Sequence, residues 1–150
     1  MFGKNRRYKK AANALGPNIH KQIMEALAVR ENVFTKPEEL AFVCAYLEGL
    51  MWQTMDIRGC KDRNFHIKML KMVCDGVIPG RLWDYVERGE ALGGSNEFGH
   101  SNSRAEYASA REAYDIGSGC GIHDAAELDD NGVVPDNLRR YLVGEELIEY

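Results

Sequence analysis

Two cysteine–histidine pairs stand at comparable places in the two halves of the chain and could supply metal ligands. His66 follows Cys60 by six positions, and His123 follows Cys120 by three. Two thiolates and two imidazoles form a ligand set that zinc takes in tetrahedral sites. The spacings differ and no C-x-x-C pair is present, so the sequence favours a core thiol and surface histidines, with no bound cofactor.

The segment GSGCGIHD, residues 117–124, also allows a catalytic interpretation. A cysteine on a glycine-rich turn can be exposed, and a nearby imidazole can activate its thiol as a nucleophile. Cys120 would then be the nucleophile and His123 the base. Nothing specifies a third group that would orient the histidine, so a metal- or thiol-dependent enzyme is an alternative and not the leading hypothesis.

Positive charge is concentrated at the N-terminus. Residues 1–24 hold six basic side chains and no acidic one, whereas the rest of the chain holds 13 basic and 23 acidic side chains. Five of the six form a basic arm, namely Lys4, Arg6, Arg7, Lys9 and Lys10. Such an arm predicts contact with an anion, which could be another protein, nucleic acid, an anionic membrane surface or the chain's own acidic body.

Two segments of eighteen residues resemble each other. They are DGVIPGRLWDYVERGEAL from Asp75 and NGVVPDNLRRYLVGEELI from Asn131. The two copies share Gly, Val, Pro, Leu, Tyr and Glu at six aligned positions, and D-I-x-G-C-like segments precede both of them. The order of turn, proline and amphipathic helix is typical of a helix start. We interpret the repetition as a degenerate internal duplication of helix–loop–helix units that bury each other's apolar faces.

The sequence predicts that all of these residues lie on or between α-helices. Apolar residues recur at helical spacing, and no segment alternates like a strand. The predicted breaks are Gly16-Pro17, Gly59, Asp75-Gly76, the loop 93–102 and GSGCG, while the predicted starts are Thr35 with Glu38, Asp62, Pro79, Ser103 with Glu106, and Pro135. These signals predict an all-α, compact bundle of six to seven helices.

The bundle is expected to be a single compact domain with three parts. These are the basic arm and first helices at 1–34, the first helical repeat at 35–92, and the second helical repeat at 93–150. The helix that follows Thr35 is apolar nearly all round, which is typical of a central helix. Leu47, Leu50, Leu82 and Leu138 are the predicted core.

Several functions are excluded or disfavoured by composition. No apolar run approaches the roughly 18 residues that span a bilayer, and no export signal is recognisable, so we expect a cytoplasmic protein without a membrane span. Acidic residues in both repeated helices disfavour them as DNA recognition helices. The leading hypothesis is a non-enzymatic protein-interaction module, such as an adaptor, regulator, inhibitor or immunity-type binder, whose partner is another protein. A nucleic-acid accessory protein acting through the arm and a homo-oligomer remain alternatives.

Overall fold

The chain folds into a bundle of six α-helices, which a computed structural model describes over residues 2–77, 81–94 and 104–148. The helices are α1 (Phe2–Val29), α2 (Pro37–Ile57), α3 (Arg63–Val77), α4 (Leu82–Gly89), α5 (Arg104–Asn131) and α6 (Asn137–Val143). A π-helical turn, Glu90–Gly94, extends α4. No strand occurs in these ranges, so the all-α prediction is confirmed.

The predicted break at Gly16-Pro17 is wrong, because α1 is one helix of 28 residues with Pro17 inside it. Proline removes one backbone hydrogen bond and normally breaks a helix. Here the apolar stripe continues across it, with Leu15 and Ile19 both buried against the core. Burial on both sides of Pro17 therefore outweighs the local cost of the proline.

Helix α2 begins one residue later than predicted. Its cap is Lys36 and not Thr35, and Pro37 occupies the first helical position. Glu39, and not Glu38, reaches back to accept the Lys36 N–H at 3.2 Å and also pairs with Arg30 at 2.6 Å. Glu39 is buried, so its pairing with Arg30 fixes this end of the helix.

The start of α3 is as predicted, whereas its end is not. The Asp62 carboxylate accepts the N–H groups of Asn64 and Phe65 at 3.0 and 3.3 Å, which is the geometry of an N-cap. The helix then continues through the predicted stop at Gly76 and ends at Val77.

The predicted break at GSGCG is also wrong, because these residues lie in the middle of α5. Their glycines allow two helix backbones to approach. A Cβ on Gly117 would lie 2.7 Å from the Phe42 carbonyl oxygen of α2, and a Cβ on Gly121 would overlap the carbonyl of Tyr46. The contacts advance together along both helices, so α2 and α5 run parallel with their backbones close together.

The α2–α5 pair forms the centre of the bundle, as the sequence predicted for α2. Fourteen of the 21 residues of α2 are buried. Leu47, Leu50, Leu82 and Leu138 are each at most 1% exposed, which confirms the predicted core.

A buried polar network attaches α6 to this centre. The Tyr46 hydroxyl donates to Asp124 at 2.7 Å, and Asn137 donates to the same carboxylate through its backbone N–H at 3.1 Å and its side-chain amide at 2.8 Å. Gln22 of α1 donates to the Tyr46 oxygen at 3.2 Å and accepts the Arg139 N–H at 3.1 Å. The network thus connects α1, α2, α5 and α6 through side chains that are all partnered.

The internal duplication is not confirmed. Gly76 lies inside α3, whereas its counterpart Gly132 follows α5 and has φ of +66°. Cys60 lies in the connection between α2 and α3, whereas Cys120 lies in the interior of α5. Shared helix-start residues account for the burial of Leu82 and Leu138 without a duplication, and the domain parts 35–92 and 93–150 stay a prediction.

Some sequence predictions fall outside the described residues. These are the helix start at Pro79, the cap residue Ser103 together with the side chain of its partner Glu106, and all but the first two residues of the loop 93–102. Among the helices that the structure describes, none has the length and apolarity required to cross a bilayer.

Candidate functional site

The basic arm forms the first turns of α1. Arg6, Arg7, Lys9 and Lys10 are exposed, while the side chain of Lys4 lies outside the described residues. Tyr8, between them in sequence, packs edge-on against Phe65 with ring centroids 6.0 Å apart. This contact fixes the arm to α3, so its cations are displayed by an ordered helix.

The four described arm cations have no acidic partner. None of them forms an ion pair with another described residue, although ion pairs occur elsewhere on the surface. Arg6 lies three and four positions before Lys9 and Lys10, so like charges are neighbours on the helix surface. Their side chains therefore form a surface of uncompensated positive charge.

The four candidate zinc ligands, which the sequence offered as the less favoured interpretation, are not brought together. Cys60, His66, Cys120 and His123 are not among the groups that bring three potential ligand atoms close together in the described part of the chain. Cys60 and His66 interact with each other only through the Cys60 backbone, whose carbonyl accepts a hydrogen bond from His66 Nε2 at 2.8 Å.

The catalytic interpretation of Cys120 is disfavoured by its surroundings. Its side chain is fully buried. Burial, and secondarily the charge of Asp124, raise the pKa of the Cys120 thiol to about 12. A nucleophilic cysteine needs the opposite environment, one that favours the thiolate. His123 follows one turn later on α5.

A different site, which sequence reasoning missed, lies between α2, α3 and α5. It is a cavity of about 280 Å³. Its apolar walls come from Met51, Trp52, Ile67, Leu70 and Ile122, and its polar lining from Glu48, Arg63, His66, Tyr114 and Ser118. Trp52, Ile67 and Ile122 are 37, 44 and 37% exposed, so the mouth of the cavity is apolar. We call this the α2–α3–α5 pocket.

Two carboxyl groups and a thiol meet where Glu48 and Tyr114 line the pocket. The Cys44 sulfur lies 3.3 Å from Glu48 Oε1 and 3.6 Å from Glu90 Oε2. The Tyr114 hydroxyl lies 3.0 Å from Glu48 Oε2 and 3.2 Å from Glu90 Oε2. We call Cys44, Glu48, Glu90 and Tyr114 the thiol–carboxylate cluster. No basic side chain of the described residues forms an ion pair with either glutamate.

The electrostatics of the cluster follow from this lack of positive charge. Burial, and then the neighbouring Glu90, raise the pKa of Glu48 to about 7. Burial also raises the pKa of the Cys44 thiol and the Tyr114 hydroxyl well above their ordinary values, with the two glutamates adding to the effect. The cluster therefore holds a proton on Glu48 near neutrality, and its thiol stays protonated.

The residues of the cluster could also hold a metal ion. Their three ligand atoms, one each from Cys44, Glu48 and Glu90, lie within 4.8 Å of one another. A tetrahedral zinc ion would separate a thiolate sulfur from a carboxylate oxygen by about 3.6 Å. The two sulfur–oxygen distances of 3.3 and 3.6 Å agree with this value. The donor set therefore fits zinc in kind and spacing, although it requires Cys44 to lose its proton.

Comparisons with protein-family models, curated proteins and solved structures found no match to this chain. Function must therefore be inferred from the arm and the pocket themselves. Only one part of the thiol–carboxylate cluster had a recognisable sequence signal, since Cys44 and Glu48 stand four apart on one face of a predicted helix.

His66 lines the pocket and has one ring nitrogen without a partner. The ring is 5% exposed, and it packs edge-on against Trp52 with centroids 5.2 Å apart. A carbonyl oxygen can only accept, so Nε2 must carry the hydrogen that bonds the Cys60 carbonyl. In the neutral ring Nδ1 is then an acceptor, and it is the only buried side-chain polar atom of the described residues that lacks a partner.

Proposed function

We propose that the protein is a non-enzymatic interaction module that binds an acidic partner protein through its basic arm. The observation that carries this proposal is the exposure of Arg6, Arg7, Lys9 and Lys10 on an ordered helix without an acidic partner in the described structure. Charge complementarity of this kind accelerates association and selects partners of the opposite sign.

The position of these cations argues that they do not serve stability. A helix N-terminus carries partial positive charge and favours acidic residues. Helix α1 has no acidic residue in its first turn and none before Glu25. Repulsion between neighbouring cations adds to the cost, and an anionic partner would relieve both effects.

The charge of the rest of the molecule favours a protein over nucleic acid as the partner. Residues 25–150 hold 23 acidic and 13 basic side chains. A long polyanion would extend from the arm across this acidic surface and be repelled. A compact acidic segment of a protein can contact the arm alone.

The test uses a charge-reversed arm. In the test variant Lys4, Arg6, Arg7, Lys9 and Lys10 are all replaced by Glu, and in the control the exposed Lys61, Lys68, Arg81 and Arg88 are replaced by Glu. Binding of three fluorescent probes is measured by anisotropy at several salt concentrations, namely a Glu-rich peptide, a DNA duplex and phosphatidylserine vesicles. We expect peptide binding that weakens steeply with salt, and that is lost in the arm variant but kept in the control.

Two outcomes would contradict this proposal. Equal peptide binding by the arm variant would place the interaction elsewhere, and arm-dependent binding of the duplex or the vesicles with no peptide binding would change the partner class. If the arm variant instead alters the protein's own oligomeric state in sedimentation, the acidic partner is a second copy of this chain.

A further inference from the structure

We propose that the α2–α3–α5 pocket is a binding site for a small aromatic amine, with the ring between the apolar walls and the ammonium group at Glu48. This site is independent of the arm. The cavity, at about 280 Å³, falls just below the range of drug-sized pockets. Its ligand is therefore small.

The apolar half of the pocket suits a flat ring. Met51 and Leu70 are buried and form its floor, while Trp52, Ile67 and Ile122 are partly exposed around it. Three large apolar side chains exposed around one opening are a feature that ligand sites share. An aromatic ring would cover them and could stack with Trp52.

The polar end of the pocket demands positive charge. Glu48 lines the cavity, and Glu90 lies behind it, bridged to it by the Tyr114 hydroxyl. Among the described residues, only Tyr114 and Cys44 donate hydrogen bonds to these two carboxyl groups. When both carboxyl groups are ionised, their acceptor capacity therefore exceeds the donors available. An ammonium group brings three donors and the missing charge, and it would leave Glu48 ionised.

The opposite wall supplies a second acceptor. The partnerless Nδ1 of His66 is buried in the wall formed by α3. A buried acceptor without a donor carries a desolvation cost that no hydrogen bond offsets. A hydroxyl or N–H group on the ligand ring would satisfy it if the side chains that cover this nitrogen move aside. One arginine, Arg63, also lines the pocket and would repel a cation. Its side chain is exposed to solvent, so dissolved salt screens this repulsion.

The decisive test compares ligands of the same size and opposite charge on the unmodified protein. Phenethylamine and 3-phenylpropionate are titrated at pH 8 and followed by two-dimensional NMR, with signals of Trp52, Ser118 and Ile122 reporting the pocket. We expect phenethylamine to shift these signals saturably, and phenylpropionate to bind at least tenfold more weakly. Equal affinities, or no saturable shift with the amine, would overturn the proposal.

Two variants then test which residue binds each polar group of the ligand. Glu48→Gln should weaken phenethylamine binding about tenfold or more, whereas the exposed Glu87→Gln serves as the control and should leave it unchanged. Tyramine, which adds a ring hydroxyl, should bind more tightly than phenethylamine, and His66→Leu should remove this gain. Unchanged binding in Glu48→Gln would contradict the role of the carboxylate.

A competing occupant is separated by metal titration. The unmodified protein is titrated with Zn²⁺ and with Co²⁺, whose visible absorption reports thiolate coordination. Binding of either ion through Cys44 and Glu48 without any amine binding would show that the cluster is a metal site and would overturn the proposed ligand class.

Discussion

Tyrosine meets carboxylate twice across the α2–α5 pair, and the two contacts differ in how they are completed. At one, the Tyr46 hydroxyl lies 2.7 Å from Asp124, and both residues are buried. At the other, the Tyr114 hydroxyl lies 3.0 Å from Glu48, beside the pocket. Asp124 gains two more hydrogen bonds from Asn137, whereas Glu48 gains a second carboxyl group as its neighbour.

The difference separates a structural polar group from one available for a ligand. Burial raises the pKa of Asp124, but the bonds from Tyr46 and Asn137 oppose that effect, because each favours the carboxylate. At Glu48 the bonds from Cys44 and Tyr114 also favour the carboxylate, but the neighbouring Glu90 adds to the effect of burial and the pKa rises to about 7. A buried acid whose neighbours are all donors holds a fold together, whereas one that lies beside a second carboxyl group still lacks a counter-charge.

The largest expected effect comes from breaking the completed contact. Asn137→Ala removes one of the three hydrogen bonds to the buried Asp124 carboxylate and both side-chain bonds to the Ile148 backbone. Losing these three bonds should cost about 3–5 kcal/mol of unfolding free energy. Urea unfolding followed by circular dichroism measures the loss. The control is Asn131→Ala, which removes only an exposed bond to Glu127 and should change stability by less than about 0.5 kcal/mol. Similar small losses in both variants would show that the Asp124 network does not fix α6.

The next effect tests the close approach that brings both tyrosines to their carboxylates. Gly121→Ala places a Cβ against the Tyr46 carbonyl, so the helices must separate, at a cost of about 2–3 kcal/mol. Gly76→Ala is the matched control, because a Cβ there meets nothing within 4 Å in helix α3. Thermal unfolding should show that control to be stabilised by about 0.5–1 kcal/mol. A tolerated Gly121→Ala would mean that α2 and α5 are not held together by these glycines.

The smallest expected effect is the pH dependence of stability that comes from Glu48, the carboxyl group without a counter-charge. Because the pKa of Glu48 is raised from 4.5 to about 7, the folded state binds the extra proton between these values and loses stability as pH rises through them. The part of this loss that falls between pH 5 and pH 8 should be about 2 kcal/mol. Glu48→Gln should remove that part of the pH dependence and be the more stable protein at pH 8. Parallel pH profiles of the two proteins, measured by urea unfolding from pH 5 to 8, would contradict the assignment.

Capping and turn residues in the sequence predicted helix ends correctly where those ends depend on contacts between neighbouring residues. The Asp62 cap and the end of α2 before Gly59 depend on neighbouring residues and could be found from the sequence. Gly16-Pro17 and GSGCG are breaking signals by the same local rules, yet both lie inside helices. The deciding contacts there, such as Gly121 against Tyr46, join residues 75 positions apart.

The same distinction applies to the candidate sites. The sequence showed the basic arm as a run of positively charged residues. It could not show whether these side chains form ion pairs with acidic residues. The pocket could not be predicted, because Glu48, His66 and Tyr114 come from three helices and acquire their relation only through packing. Cys120 and His123 stand three positions apart, which suggested a catalytic interpretation that burial of the thiol disfavours.

The four cysteines can report local unfolding in different parts of the bundle. Cys44 lies in α2, Cys60 in the next connection, Cys74 in α3 and Cys120 in α5, and all four are buried free thiols. A reagent in solution can reach each sulfur only after the segment around it moves away. The order in which the four are alkylated would therefore rank the local stabilities of the bundle, one segment at a time.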